Sequence, residues 1–552
     1  MPAGFYFGKK TDAREAWRQV LSDPPKRVAI DTETVSLKDR SLIGLGIATA
    51  PSEGFYFTPD TEQFHEALRF LRDDSTQKIY HNAPYDLHVL REYGISTANL
   101  EDTAMMGRLM PPKQYVNFPT GTLVDMAYWV GIEAYGAGEV MNKHGAKGRM
   151  TNLPVEIVAE KCYTDTRITY QIFDFLKDKI DWSYYRVDRD LLPILDHMSG
   201  TGIRIDQKRR AELDVMYTRD VTYYRNVCET LGFNPASPQQ VAYMLGKRGS
   251  FMPLTRSNKQ LSTDEKVLFK LTDPLAHMVL LFRGAAKQLS TYIKPLEDAE
   301  RVFTILALET ITGRLNSTGG GLKYHVNLQN ITKQKDAKRP IKIRSMFVPD
   351  GDVFTILDAS QIELRVLAYL SQDPVMLDIF AAGGDIHADT AKALNIDRID
   401  AKRFNFARLY GASADVIADN IGTKDVASIE KLSKLWVERY PNADAWAQEQ
   451  MYQGWERGWV QSMYGRRIPI PFEQGRKHAD NCSINYPIQC TAGEIFKRVM
   501  LECKSLLNDM RLQVHDELIF DGKVELPKGL EELSPIHIPF DVEIRNSWDS
   551  TS

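Results

Sequence analysis

Cysteine is scarce in this chain, and none of it is paired in sequence. The five residues, Cys162, Cys228, Cys482, Cys490 and Cys503, are scattered, odd in number and form no CxxC. That argues against a disulfide framework and for free thiols in a reducing compartment. Long apolar runs are missing as well. None approaches the ~18 residues of a membrane helix, and the opening MPAGFYFGKKTDAREAW lacks the apolar segment of a secretory signal. A cytoplasmic protein with no membrane partner is expected. A dominant charge is also absent: the formal net charge is −4, so composition alone does not announce a nucleic-acid binder. A basic groove can be local, however, and acidic metal sites offset it. There is no internal repeat and no low-complexity segment.

What is present suits a globular protein. With 43% hydrophobic and 26% charged residues over 552 positions, the chain has room for three or four domains with sizeable cores. The first ~180 residues read as mixed α/β by their periodicities. RVAID, LIGLGIATA and GFYFTP are expected strands between Arg27 and Pro59, and PVEIVAEKCYTDTRITYQIFDFL an expected helix. The Gly- and Lys-rich stretch Tyr135 to Thr151 reads as a loop. From Tyr184 to Leu296 the pattern is mainly helical and charged. From Val302 strands return, with helices between Ser371 and Gln461.

Two groups of carboxylates stand out. In the first, the strand RVAI runs into Asp31-Thr32-Glu33. Residues i and i+2 of a strand share a face, so two carboxylates lie side by side, which is costly unless a cation sits between them. Asn82 and Asp86, in HNAPYDLHVL, are four apart, a spacing that a helix puts on one face. Asp165 borders the apolar stripe Val158, Cys162, Ile168 and Ile172. A lone DxE is usually a solvated turn, and Asp86 alone a surface residue. Together, four acidic groups from three segments can bind two divalent ions through oxygen, activating a water and stabilising a leaving oxygen.

In the second group, VFTILDASQIELRVLAYLS is a strand turning into a helix, with Asp358 at the strand end and Glu363 in the first turns. Far downstream, RLQVHDELIF sets His515, Asp516 and Glu517 at an expected hairpin tip. Between them, Arg398, Lys402, Phe406 and Tyr410 recur every four residues. A step of four turns a helix by about 400°, so they form one slowly drifting face. Two cations followed by two rings suit a nucleoside triphosphate: charge for the phosphates, a ring for the base. On chemistry alone an ordinary amphipathic face stays open beside that reading.

The motifs also carry a resemblance. DTET, NAPYD and YTD resemble the three motifs of the DEDD 3′–5′ exonucleases, proofreading domains of ribonuclease-H-like fold. DASQIELR, the RxxxKxxxFxxxYG helix and VHDE resemble motifs A, B and C of family A DNA polymerases. TGRLNS, NLQNI, YGRRI and NYPIQCTAGEIFKR are similar to that family's palm segments, SPQQVAYML and STYIKPL to its thumb, and DVEIRNSWD to its C-terminus. The resemblance, in the right order over nearly the whole chain, implies an α+β multidomain protein with a ribonuclease-H-like exonuclease domain and a right-hand polymerase. It implies an exonuclease over 1–183, a thumb over 184–300, a palm over 301–372 and 471–552, and fingers over 373–470.

It further implies Asp31, Glu33, Asp86 and Asp165 as exonuclease metal ligands and Asp358 and Asp516 as polymerase metal ligands, with Glu517 an acidic neighbour. Arg398, Lys402 and His387 would contact the triphosphate, Lys402 also serving as general acid for the leaving pyrophosphate. Phe406 would stack on the incoming nucleotide, Tyr410 pack near the template base, and Glu363 exclude a 2′-hydroxyl. Arg314, Asn485, Gln489 and His515 would contact primer and template. Each active site would take two Mg²⁺, with Mn²⁺ an alternative. The expected partners are primer-template DNA, dNTPs, a single-stranded 3′ end and accessory replication proteins; in a phage-encoded case the location is the host cytoplasm. A 5′-nuclease domain is not expected within this sequence.

Four positions depart from the family pattern. Lys161 stands where the exonuclease motif usually has a Tyr; Ala359 replaces a Tyr, Ala407 a Gly and Asn481 an Arg. None removes a metal ligand. A nuclease with a merely DNA-binding second half is disfavoured by Asp358, Lys402 and Asp516 all being present. A single-subunit RNA polymerase is disfavoured by Glu363 and the nuclease motifs. A non-catalytic DNA-binding module would be more basic and would not need these spaced carboxylates.

Overall fold

The computed structural model describes residues 4–8, 12–110, 121–255, 259–331, 342–423 and 425–549. The N-terminal part is built on a six-stranded mixed sheet: β1 (Gly4–Phe7), β2 (Arg27–Thr34), β3 (Leu42–Ala50), β4 (Glu53–Phe57), β5 (Gln77–Tyr80) and β6 (Leu100–Asp102), in the order β1-β4-β3-β2-β5-β6. β2 is central. It pairs antiparallel with β3 and parallel with β5, and Val28, Ala29 and Ile30 are all buried, as a strand covered on both faces requires. Helix α1 (Ala83–Leu90) follows β5, and α2 (Val155–Leu176) lies against β2 and β3.

α2 comes close to the sheet because β3 offers no side chain at Gly46. A Cβ there would stand 2.6 Å from Cys162 Sγ and 3.0 Å from Thr166 Cγ2. Val158, Cys162, Ile168 and Ile172 form the buried stripe of α2, as their spacing predicts.

Two local expectations are corrected. The stretch Tyr135 to Thr151 is not all loop: Ala137–Lys143 forms a helix, stopped by Gly145 in the left-handed region. Asn82 does not share a helix with Asp86. It precedes α1 at φ 67°, ψ 56°, and the helix begins at Ala83 with Pro84 in its first turn, where a missing N–H costs nothing.

Helix α3 (Trp182–Thr201) leads out of this unit, and α4 (Gln207–Thr230) and α5 (Pro274–Gln288) pack together beyond it. The C-terminal part carries a four-stranded antiparallel sheet of β7 (Phe354–Ala359), β8 (Met510–Val514), β9 (Glu517–Asp521) and β10 (Phe540–Arg545), ordered β8-β9-β7-β10. The hairpin expected around His515 and Asp516 is present as the β8–β9 turn, with His515 at φ 57°. Helix α6 (Ile362–Ser371) follows β7. Then come α7 (Ile386–Leu394) and α8 (Arg398–Leu409), which pack on each other, and α9 (Arg476–Glu502), 27 residues long, which packs against α3 and α6. A buried triad ties α3 to the C-terminal part: Asp188 accepts from Lys497 Nζ at 2.5 Å and Arg466 at 2.9 Å. Among the described residues no helix is long and apolar enough to cross a membrane.

Candidate active sites

The four N-terminal carboxylates converge at the β2 end of the mixed sheet. Glu33 and Asp86 are buried, and Asp31 is half-buried. Asp86 Oδ1 accepts from the Thr32 backbone N–H at 2.9 Å and from its hydroxyl at 2.7 Å, which fixes α1 to β2. Burial pushes the Asp86 carboxyl up to about 7, although both Thr32 hydrogen bonds pull the other way. Burial, then the charges of Glu33, Asp165 and Asp86, holds Asp31 well above the usual carboxylate range. Cys162 Sγ lies 3.4 Å from Asp31 Oδ2, and burial among these charges keeps its thiol protonated.

Lys161 stands inside this cluster. Its Nζ donates to Glu33 Oε1 at 3.2 Å and to Asp165 Oδ2 at 2.5 Å. Burial alone would lower its pKa, but Glu33, Asp165 and Asp31 outweigh that and hold the ammonium charged. The sequence leads one to expect a carboxylate set open to two ions, and the structure adds a lysine within that set. All four oxygen donors suit a hard divalent ion, but the space between Glu33 and Asp165 is already spanned by a cation. Sequence spacing places Lys161 one helical turn before Asp165; that it points inward depends on how α2 sits on β3. Tyr163, two residues on, points away and stacks on Phe7 at 4.3 Å between ring centroids, with 6° between planes.

In the C-terminal sheet, register does the assembly. Asp358 pairs with Glu517 across β7 and β9, and the Ala359 N–H donates to the Asp516 carbonyl at 3.0 Å. Asp358, Asp516 and Glu517 thus share one end of the sheet. Burial and the nearby Glu517 and Glu363 raise the Asp516 carboxyl above its ordinary value. Two carboxylates at adjoining strand ends, one of them raised by burial, fit a divalent ion that would favour the charged form. Glu517 also faces Arg344, whose NH1 is 3.5 Å from its Oε2. Arg344 is buried, donates through Nε to the Ile331 carbonyl at 2.9 Å and lies over Trp548 at 4.2 Å. Nothing in the sequence around Arg344 signals that position; only the packing of the final strand region over Phe347 does so.

Glu363 opens α6 beside these strands. It pairs with Arg314 and accepts from the Tyr410 hydroxyl at 2.7 Å. Tyr410 is not within α8 but caps its C-terminus, and its ring is 6.3 Å from Phe406. Gly411 follows at φ 65°. A Cβ there would stand 2.6 Å from the Asn481 side-chain amide, so this Asn packs directly behind the end of α8. Of the other departures, Ala359 is buried in β7 and Ala407 in α8.

Of the face that the spacing predicts, Arg398, Lys402 and Phe406 lie on α8, and Tyr410 lies just beyond it. Lys402 Nζ lies 5.8 Å from the Phe406 centroid, and Arg398, exposed, donates to Asp385. His387 is buried at the start of α7, its ring 5.6 Å from Phe406 and its Nδ1 3.2 Å from Asn405 Nδ2. Burial, helped by the nearby Lys402 and Arg398, pushes His387 down to about 4, so it is neutral near pH 7. Arg314, His515 and Asp516 line one small cavity with Gln513, which is itself bonded to Gln329 at 2.8 Å. Asn485 and Gln489 lie one turn apart and half-buried on α9, outside that lining.

Comparison with known proteins follows this division. The pattern of a 3′–5′ exonuclease family matches residues 7–181, and that of DNA polymerase family A matches residues 209–536. DNA polymerase I of Treponema pallidum is 29% identical over 88% of this chain and 52% of its own length. The thermostable DNA polymerase I of Thermus filiformis is 30% identical over 70% and 50%, and DNA polymerase I of Chloroflexus aurantiacus 28% over 95% and 61%. The chain thus spans about half to three-fifths of these relatives' lengths. Among solved structures, the POL domain of Pol1 from M. smegmatis, in complex with DNA primer-template and dNTP, superposes with a TM-score of 0.78 at 22% identity, covering 98% of this chain and 99% of that one. The fold is therefore shared with that polymerase domain end to end. With the polymerase pattern extending over residues 209–536, more than half of its length, this chain belongs to DNA polymerase family A.

Proposed function

We propose that this chain copies a DNA template by adding deoxynucleotides to a primer 3′ end, and that its N-terminal unit removes nucleotides from a 3′ end. The observation that carries the synthetic half is the β7–β9 register, which sets Asp358, Asp516 and Glu517 together beside Glu363 and the Tyr410 end of α8. On this reading 1–183 is the exonuclease, 184–300 the thumb, 301–372 and 471–552 the palm, and 373–470 the fingers.

The primer 3′-hydroxyl gives up its proton to solvent, its oxygen attacks the α-phosphorus of a dNTP, a P–O bond forms, and the bond to pyrophosphate breaks. Lys402 gives a proton to the departing oxygen. Arg398 and Lys402 meet the triphosphate, with neutral His387 adding a hydrogen bond rather than a charge. Phe406 stacks on the base or sugar. Glu363, fixed by Arg314 and Tyr410, blocks a 2′-hydroxyl. Arg314, Asn485, Gln489 and His515 meet the primer-template. Asp358 and Asp516 would hold Mg²⁺, which neutralises phosphate charge and makes the 3′-hydroxyl more acidic.

Primer extension with dNTPs or rNTPs, with and without Mg²⁺, tests the reading. Template-dependent extension with dNTPs that needs the ion is expected. Failure to extend any primer, or extension equally good with rNTPs, would overturn it.

A further inference from the structure

Lys161 lies within the nuclease centre. Its Nζ bridges Glu33 and Asp165 at 3.2 and 2.5 Å, with the Lys161, Glu33 and Asp165 side chains only 10%, 7% and 14% exposed. The helix and the sheet both enforce this. Lys161 and Asp165 are one turn apart on α2, and Gly46 lets that turn close on β3. Asp31 and Asp86, in contrast, form no salt bridge with a basic side chain among the described residues. An ammonium and a hard divalent ion want the same carboxylate oxygens. In so poorly solvated a place, two cations that close repel strongly.

We propose that the Lys161 ammonium is a built-in cation of the nuclease centre, occupying the place of one of two divalent ions, so that the centre binds a single divalent ion on the Asp31–Asp86 side. The tethered charge neither dissociates nor exchanges. It holds Glu33 and Asp165 in register whether or not the divalent ion is bound, and it lies where a phosphate brought to the centre would meet fixed positive charge. Lys161 thereby changes the number of ions the centre uses rather than disabling it. This rests on reading residues 1–183 as an exonuclease, but the number of ions can be measured without turnover.

The experiment counts ions. The full chain carries Asp358→Asn and Asp516→Asn throughout, so that the palm carboxylates contribute equally little. Bound Mn²⁺ is measured at saturation from the electron paramagnetic resonance of the free ion, with thymidine 5′-monophosphate present. Asp31→Asn serves as the blank for the nuclease centre. The parent should exceed the blank by one Mn²⁺, Lys161→Met by two, and Lys161→Arg by one. Two ions in the parent, or no gain in Lys161→Met, overturns the proposal. If Lys161→Met has no cooperative melt, the parent's count of one against two decides alone. Single-strand digestion is assayed separately on the wild-type chain. Its absence would remove the exonuclease reading and leave the ion count standing.

Discussion

The Tyr410 hydroxyl donates to Glu363 Oε2 at 2.7 Å while Arg314 pairs with the other oxygen of the same carboxylate. A buried carboxylate held from both sides has one position, and a side chain with one position can act as a wall. Glu363→Ala should therefore admit ribonucleotides. Tyr410→Phe removes one charge-assisted hydrogen bond, about 1.5–3 kcal/mol, and should loosen discrimination by roughly 10- to 100-fold or less. The measurement is the ratio of kcat/KM for dNTP over rNTP. An unchanged ratio in Glu363→Ala removes the steric role.

Asp358→Ala and Asp516→Ala should each abolish primer extension and spare digestion of a labelled single strand, because the two carboxylate groups sit on separate sheets. Extension near the wild-type rate by either variant would show that synthesis does not depend on these carboxylates.

Phe406→Tyr should raise the use of dideoxynucleotides. In the family this chain belongs to, a phenol at this position is expected to stand in for the missing 3′-hydroxyl. One such hydrogen bond corresponds to a gain on the order of 10- to 100-fold, read as the ratio of chain termination to extension. Equal ratios in both proteins would count against Phe406 as the residue at the sugar.

Without divalent ions, the N-terminal unit should be more stable at pH 5.5 than at pH 8. Asp86 titrates near 7 when folded, against an ordinary value of 3.8. Between those values the folded state holds the extra proton, so stability falls as pH rises, by up to about 1.4 kcal/mol per pH unit for one proton. Asp31 and Glu33, also raised, act in the same direction. Melting in EDTA checks this. Asp86→Asn should flatten the slope, and a slope of opposite sign would mean that these carboxylates are ionised in the folded protein.

Tyr163→Phe should leave single-strand digestion within about twofold. The ring stacks on Phe7, on the far side of α2 from the carboxylates; two residues along a helix is a turn of about 200°. A large loss would place that phenol in the chemistry.

The sequence made the carboxylates legible because strand and helix periods are local. Asp31 and Glu33 share a face at any register, and Asp358 and Asp516 end apolar runs. Their meeting depends on long-range pairing, of which the β7–β9 register is the example, and no periodicity in either segment specifies it. Asn82 lies outside the helix that its spacing from Asp86 suggests, because spacing carries no information on φ, and the helix begins only after it, at Ala83 and Pro84. The loop expected at Tyr135 to Thr151 followed its glycines, yet the short run between Gly136 and Gly145 is helical. Lys161 was visible as a departure, but its partners were not, since inward and outward lysines look alike until α2 is set on the sheet.

Gly46 carries a consequence for inheritance. A single methyl group at this position meets Cys162 Sγ at 2.6 Å and Thr166 Cγ2 at 3.0 Å, so an alanine there forces either these side chains to turn or α2 to shift, and a shift of α2 carries Asp165 and Lys161 with it. If the proposed division of labour holds, synthesis, assigned to the other sheet, would continue while removal of a mismatched 3′ end slowed. On the proposed reading, one substitution that touches none of the carboxylates would thus separate copying from correction, read as a raised error rate in primer extension.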